Sequence, residues 1–116
     1  MKANQLLDKI VLPLTATIAS SNTTSDAVEL FGTTAIAFQT PSALTGTAFT
    51  FEGSIDAGVT FKEIRDQAGA AVSFVVAPDG TYPLDANLFA PYDEIKIVSG
   101  SSEAAERLIL IKPFVI

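Results

Sequence analysis

The sequence predicts an all-β protein, an antiparallel two-sheet sandwich of the jelly-roll or immunoglobulin-like kind, with at most one or two short helical turns. Apolar and polar residues alternate with a period of two in most segments, and turn residues separate short runs of strand-forming residues. The 116 residues suffice for one domain with its own core. We therefore expect a sandwich over residues 10–116 and an arm or short helix over residues 1–9.

The first segment of the chain is predicted to form this arm and then a strand. Within residues 1–9, Leu6 and Leu7 form an apolar pair. Nine residues are too few for a stable isolated helix, so the arm must either fray or dock, on its own sandwich or on a neighbouring protein. Ile10–Ile18 alternates as a half-buried strand, with Ile10, Leu12, Leu14, Ala16 and Ile18 on its apolar face. We expect it at a sheet edge because Pro13 lacks an amide donor. No cleaved signal peptide is expected, since charges and a proline interrupt the apolar run.

Three strands and a tight turn are predicted in the next part of the chain. The strands are Ala27–Phe31, Thr34–Phe38 and Thr47–Ile55. In the last of these, alternation places Phe49, Phe51 and Ile55 on one face, which we expect to point into the core. Asp56-Ala57-Gly58 then fits a three-residue hairpin loop with Gly58 in the left-handed conformation.

The segment after the hairpin is expected to contain a bulge, a short strand and a helical turn. Phe61 and Ile64 are three residues apart, so a β-bulge between them would turn both side chains inward. Alternation over Val72–Val76 predicts the strand. Leu84–Ala90 fits a single helical turn, because Asp85 is a favourable N-cap residue.

Two strands close the sequence, and the second is apolar on both faces. Glu94–Val98 alternates with its isoleucines inward, whereas Arg107–Ile116 carries large apolar groups at nearly every position. One face of a lone antiparallel sheet is usually wet, so the last strand predicts that something covers its second face. That cover is either the N-terminal segment of the same chain or a partner. The residues expected at a partner interface are Leu6, Leu7, Ile109, Ile111 and Val115.

The sequence lacks the side chains that most catalytic sites need. It contains no histidine and no cysteine, so neither a Ser-His nor a Cys-His nucleophile pair is available. The carboxylates that remain fall at turns or on expected solvent faces, where we interpret them as surface charge. They are Asp56, Glu63, Asp66, Asp93, Glu94, Glu103 and Glu106. We therefore predict a protein that is not an enzyme, with no catalytic residues and no cofactor.

Metal, nucleic-acid and membrane binding are each disfavoured. Asp56 and Asp66 flank the predicted hairpin, but no D-x-D-x-D spacing occurs, so turn formation is preferred over a calcium site. The net charge is −6 and no cluster of lysine or arginine is present to contact phosphates. Residues 30–51 are uncharged, but their threonines, glycines and Pro41 suit strands and turns better than a membrane helix.

Several motifs from Ser25 onward resemble small structural proteins of tailed-bacteriophage virions. The first two are a proline followed by a Leu/Thr-Gly strand, at Pro41–Gly46, and an F-x-x-S-x-D-like hairpin, at Phe51–Phe61. The others are an I-x-I/V-S-G strand, at Ile95–Gly100, and an A-A-x-R strand, at Ala104–Leu110. These motifs are structural rather than catalytic.

The resemblance implies a function on the virion. Such proteins are thought to act as head decoration or cement proteins, which implies location on the phage head surface, binding to the major capsid protein and assembly of copies into a homotrimer. Two alternatives stay open. One is an adhesion domain associated with a tail, neck or fibre, and the other is a cellular carbohydrate-binding β-sandwich.

Overall fold

The computed structural model describes residues 12–115 as a sandwich of two antiparallel sheets, which confirms the predicted fold class. The strands are β1 (Leu14–Ile18), β2 (Val28–Glu29), β3 (Thr33–Gln39), β4 (Ala48–Ser54), β5 (Lys62–Glu63), β6 (Phe74–Val75), β7 (Thr81–Pro83), β8 (Glu94–Ser99) and β9 (Arg107–Val115). One short helix, α1 (Ala86–Phe89), lies between β7 and β8. Leu6, Leu7 and the predicted arm over residues 1–9 lie outside the described residues.

The two sheets have four and five strands. The four-stranded sheet has the order β1-β9-β3-β7, so the last long strand lies in its middle and β1 forms one edge. The five-stranded sheet has the order β2-β8-β4-β5, and β6 pairs with β4 as well. The edge position of β1 is the one expected from the proline just before it, since a proline cannot donate to a neighbouring strand.

The core lies between the two sheets and is rich in phenylalanine. Phe38 of β3 stacks on Tyr82 of β7 with ring centroids 5.0 Å apart, and Phe51 of β4 meets Phe89 of α1 edge to face at the same distance. Phe49 is fully buried beside them. The ring centroids of Phe38 and Phe49, which belong to different sheets, are 5.8 Å apart, so facing side chains from both sheets meet in the core.

The local turn chemistry follows the sequence closely. The Asp85 side chain accepts a hydrogen bond from the amide of Asn87 at 2.9 Å, which caps α1 as predicted. In the hairpin after β4, Gly58 has a φ of 87° and Ala57 one of 59°, so two successive residues are left-handed. The predicted three-residue loop was wrong, because β4 ends at Ser54 and β5 starts at Lys62, which leaves residues 55–61 between them. No helix among residues 12–115 is long and apolar enough to cross a membrane.

Three side chains expected in the core lie elsewhere. Leu12 is 60% exposed because β1 starts only at Leu14, and Ile55 is 75% exposed because β4 ends at Ser54, whose hydroxyl is used by the following turn. Ile64 is buried, but Phe61 is only half-buried and packs beneath the Lys96 ammonium, 4.2 Å from its ring centroid. Only one of the two predicted residues thus points inward, and the predicted bulge is absent from the pairing of β5 with β4, which is in regular register at Lys62 and Glu63.

Candidate interaction surface

Strand β9 has one face in the core and one apolar face in solvent. Ile109 and Ile111 are 0% and 1% exposed, whereas the side chains between and beyond them are open. Leu108, Leu110 and Phe114, which we call the outer stripe, are 50%, 39% and 47% exposed. Because successive side chains of a strand point to opposite faces, the stripe lies on the outer face of the four-stranded sheet.

Ile109 and Ile111 were expected from the sequence at a partner interface, and this prediction was wrong. Ile109 pairs with Ala16 of β1, and Ile111 pairs with Leu14 of β1 and Phe38 of β3, so both point into the sandwich. Val115 lies at the same parity and is half-buried. The even-numbered residues of β9 face solvent. The charge of Lys112, one of these residues, is the sequence signal that could have identified the solvent-facing side of the strand.

The outer stripe is interrupted by one charged residue, Lys112, between Leu110 and Phe114, and its neighbours on the adjacent strands are polar but uncharged. One row of directly paired residues crosses the whole sheet, from Thr15 of β1 through Leu110 and Gln39 to Thr81 of β7. The amide nitrogen Nε2 of Gln39 donates to Oγ1 of Thr81 at 3.2 Å, which orders this row. A shallow groove of about 340 Å³ follows it, with Pro13 at one end. Hydroxyl and amide groups therefore flank an apolar centre.

The two sheets differ sharply in charge. In the described strands of the four-stranded sheet, Arg107 and Lys112 are charged and no aspartate or glutamate occurs. The strands of the five-stranded sheet carry Glu29, Glu52, Glu63, Glu94, Lys62 and Lys96. In a chain with 13 acidic residues, the outer stripe thus occupies a sheet without carboxylates.

A buried carboxylate fixes the start of β9, although its position in the sequence predicts a surface charge. Glu103 is fully buried. It accepts hydrogen bonds from the amides of Thr45 and Gly46, each at 2.8 Å, from Oγ of Ser99 at 2.7 Å and from Nε of Arg107 at 2.8 Å. Only the four-residue spacing to Arg107 hinted at this network, since Thr45 and Gly46 are distant in sequence.

The charged form of Glu103 is strongly favoured. Burial by itself raises the pKa of this carboxyl group, but the hydrogen bonds from Thr45, Arg107, Gly46 and Ser99 outweigh it and lower the pKa to about 2. A carboxylate that accepts several such bonds loses little by leaving water. Glu103 is therefore a structural anion that ties two loops to the first residue of β9.

The other carboxylates that sequence analysis considered for catalysis or calcium mostly organise turns. Oδ1 of Asp56 accepts from Oγ of Ser54 at 2.7 Å and from the amide of Thr60 at 2.9 Å, and these bonds lower its pKa. Oδ1 of Asp66 accepts from the amides of Ala68 and Ala70. Across residues 12–115, no group of three or more such side chains is placed to hold a metal ion.

A second cavity of about 350 Å³ lies beside the hairpin. Its walls include Asp56, Lys62, Glu63 and Tyr92, with Gly53 at its floor. The ring of Tyr92 lies directly against Gly53, in the space that a side chain would need. This cavity brings together two of the carboxylates considered above, Asp56 and Glu63, whereas Asp66 caps a separate turn.

Comparison with known proteins gives a fold but no family. No protein-family model matches the chain, and no curated protein matches it. Among solved structures, the SPBc2 prophage-derived protein YomS is similar, with a TM-score of 0.51 and 12% sequence identity. The alignment covers 90% of this chain and 97% of that one. The likeness thus extends over nearly the whole sandwich of both proteins, and at this identity it establishes a shared fold.

Proposed function

We propose that this chain is a non-enzymatic structural protein of a tailed-phage particle, a decoration or cement protein on the head that binds the major capsid protein and copies of itself, with the homotrimer as the working stoichiometry. The observation that carries the proposal is the outer stripe of Leu108, Leu110 and Phe114 on a sheet face without carboxylates. The function of this protein is therefore expected to depend on a binding surface rather than on a catalytic pocket.

The exposed apolar stripe supports a binding role. Contiguous apolar surface rimmed by polar groups commonly marks an interaction site in soluble proteins. Here the stripe runs along the central strand β9, where the sheet is held on both sides by β1 and β3. Such a supported strand presents its side chains in fixed positions, which reduces the conformational entropy lost on binding.

The charges of the opposite, five-stranded sheet indicate that its outer face is in contact with water. Its strands carry four glutamates and two lysines, which suits a surface in contact with water. The fold shared with a prophage-derived protein is consistent with a phage setting.

Virion attachment can be tested on particles of the phage that encodes this chain. We expect the protein in purified particles at a fixed ratio to the major capsid protein, with cryo-microscopy density on the head surface. Particles stripped of it should rebind the wild type and the Val75→Lys variant, but bind Leu110→Lys at least about tenfold more weakly, a loss of about 1.4 kcal/mol. Val75 is the matched control because it is 84% exposed on β6 of the opposite sheet.

Two outcomes would overturn the proposal. Absence of the protein from purified particles would remove the virion role altogether. Density confined to the tail or neck, together with binding to a host glycan, would favour the adhesion alternative instead.

A further inference from the structure

We infer that the occupant of the outer stripe is the same sheet face of a second copy of this chain. This inference rests on the proposed function, because it takes the same face as a binding surface and names its partner. Assembled copies, rather than isolated chains, would then meet the shell, through surfaces outside the outer stripe. Three independent features of the described residues lead to it: charge, hydrogen-bonding capacity and shape.

Charge is the first feature. The chain carries a net charge of −6, so contact between two copies generally brings carboxylates together. The described strands of the four-stranded sheet are free of aspartate and glutamate, and their cations are Arg107 and Lys112. Arg107 is already paired with the buried Glu103. The strands of this sheet therefore place no carboxylates opposite each other when two acidic molecules approach, and the cation on their outer face is Lys112, between Leu110 and Phe114.

Hydrogen-bonding capacity is the second feature. The side chains that flank Leu110 in its row are Thr15, Gln39 and Thr81. Hydroxyl and carboxamide groups both donate and accept, so a surface edged with them can pair with an identical surface. A face edged with carboxylates would instead require a partner rich in donors. The polar flank of the stripe is thus self-complementary.

Shape is the third feature. Two sheet faces pack on each other at about 10 Å with their side chains interdigitating, which is how this sandwich packs internally. The outer stripe offers protruding Leu108 and Phe114, and the groove of about 340 Å³ beside Leu110 offers a complementary depression. Repetition of this contact about a two-fold or three-fold axis closes the assembly and leaves no stripe exposed.

The test measures the mass of the purified protein by light scattering and sedimentation between about 1 and 100 μM. We expect wild type and Val75→Lys to form the same closed dimer or trimer, and Leu110→Lys to be monomeric or to dissociate with a constant at least about tenfold higher. Circular dichroism and thermal unfolding check that each variant is folded. A second variant, Leu108→Thr/Phe114→Thr, removes apolar area while keeping good strand-forming residues, and it should also weaken assembly.

The outcomes separate this inference from the proposed function. A wild type that is monomeric at 100 μM, or an oligomer that both stripe variants leave unchanged, would overturn the inference, whether or not the protein binds particles. An oligomer that the stripe variants dissociate supports it. If such an oligomer were absent from purified particles, the proposed virion role would fail while the self-association surface stood.

Discussion

Glu103 and Arg107, four residues apart, are joined by a 2.8 Å ion pair inside the protein, with the Glu103 side chain fully buried and the Arg107 side chain 13% exposed. Arg107 is the first residue of β9 and pairs with Ile18, the last residue of β1. The carboxylate also holds the loop at Thr45 and Gly46 through their amides. The ion pair therefore fixes where the central strand of the four-stranded sheet begins.

Replacing Glu103 by alanine is expected to destabilise the fold strongly. The change leaves the amides of Thr45 and Gly46 and the Arg107 guanidinium without their acceptor, and breaking a buried ion pair in this way costs about 3–5 kcal/mol. Urea unfolding measures the loss. Glu106→Ala, an exposed acidic position in the same loop, is the control and should stay within about 0.5 kcal/mol of wild type.

The stability of the protein should fall in acid because of the same residue. The pKa of Glu103 is lowered from its ordinary value of 4.5 to about 2 in the folded state, so the unfolded chain takes up the proton first as the pH drops. The contribution is fully present above pH 4.5 and is lost between about pH 4.5 and pH 2, with a size of about 3 kcal/mol.

Urea unfolding from pH 6 to pH 2.5 checks this dependence. Glu103→Gln should be less stable than wild type at pH 6 and show a flatter decline, since it has no proton to gain. Glu106→Gln should keep the slope of the wild type. Parallel slopes for wild type and Glu103→Gln would mean that another carboxyl group causes the acid sensitivity.

The predictions that succeeded rest on local chemistry. Period-two alternation bounded by turn residues was sufficient for the sandwich, because a strand with one apolar face has to bury it against another sheet. Asp85 and Gly58 were predicted correctly for a similar reason: a helix cap and a left-handed turn position depend on residues within a few places along the chain.

The predictions that failed depend on contacts distant in sequence. Both parities of β9 carry large aliphatic groups, so hydrophobicity alone did not tell Ile109 from Leu110, and the pairing with β1 and β3 decided between them. Glu103 looked like surface charge because its amide donors come from residues 45 and 46. An arrangement of this kind becomes visible only when the two loops are brought together by the fold.

The hairpin after β4 offers a paired test of backbone strain. Gly58 has a φ of 87°, and an added Cβ would collide with the carboxylate of Glu94. Gly58→Ala should therefore cost about 1–2 kcal/mol for the left-handed conformation, plus the displacement of Glu94. Ala57→Gly changes the adjacent left-handed residue in the opposite direction and should be neutral or stabilising by up to about 1 kcal/mol. Thermal unfolding of both variants checks the signs, and a loss of stability in both would argue against strain as the cause.

The edge strand β1 is partly closed by a side chain, and opening it should promote aggregation. Oδ1 of Asp26 accepts from the amide of Thr17 at 2.9 Å, and the amide of Asp26 donates to the carbonyl of Thr17 at 3.0 Å, so one residue occupies both groups at this point of the edge. Exposed strand edges template pairing with other chains, and charged residues at an edge discourage it.

We expect Asp26→Ala to lose about 0.5–1.5 kcal/mol of stability and to aggregate faster on incubation at elevated temperature. Asp26→Asn keeps an acceptor oxygen while removing the charge, so it separates the two effects: if the hydrogen bond protects the edge, its aggregation rate, followed by light scattering, should stay near that of wild type. Equal aggregation of both variants would assign the protection to the charge.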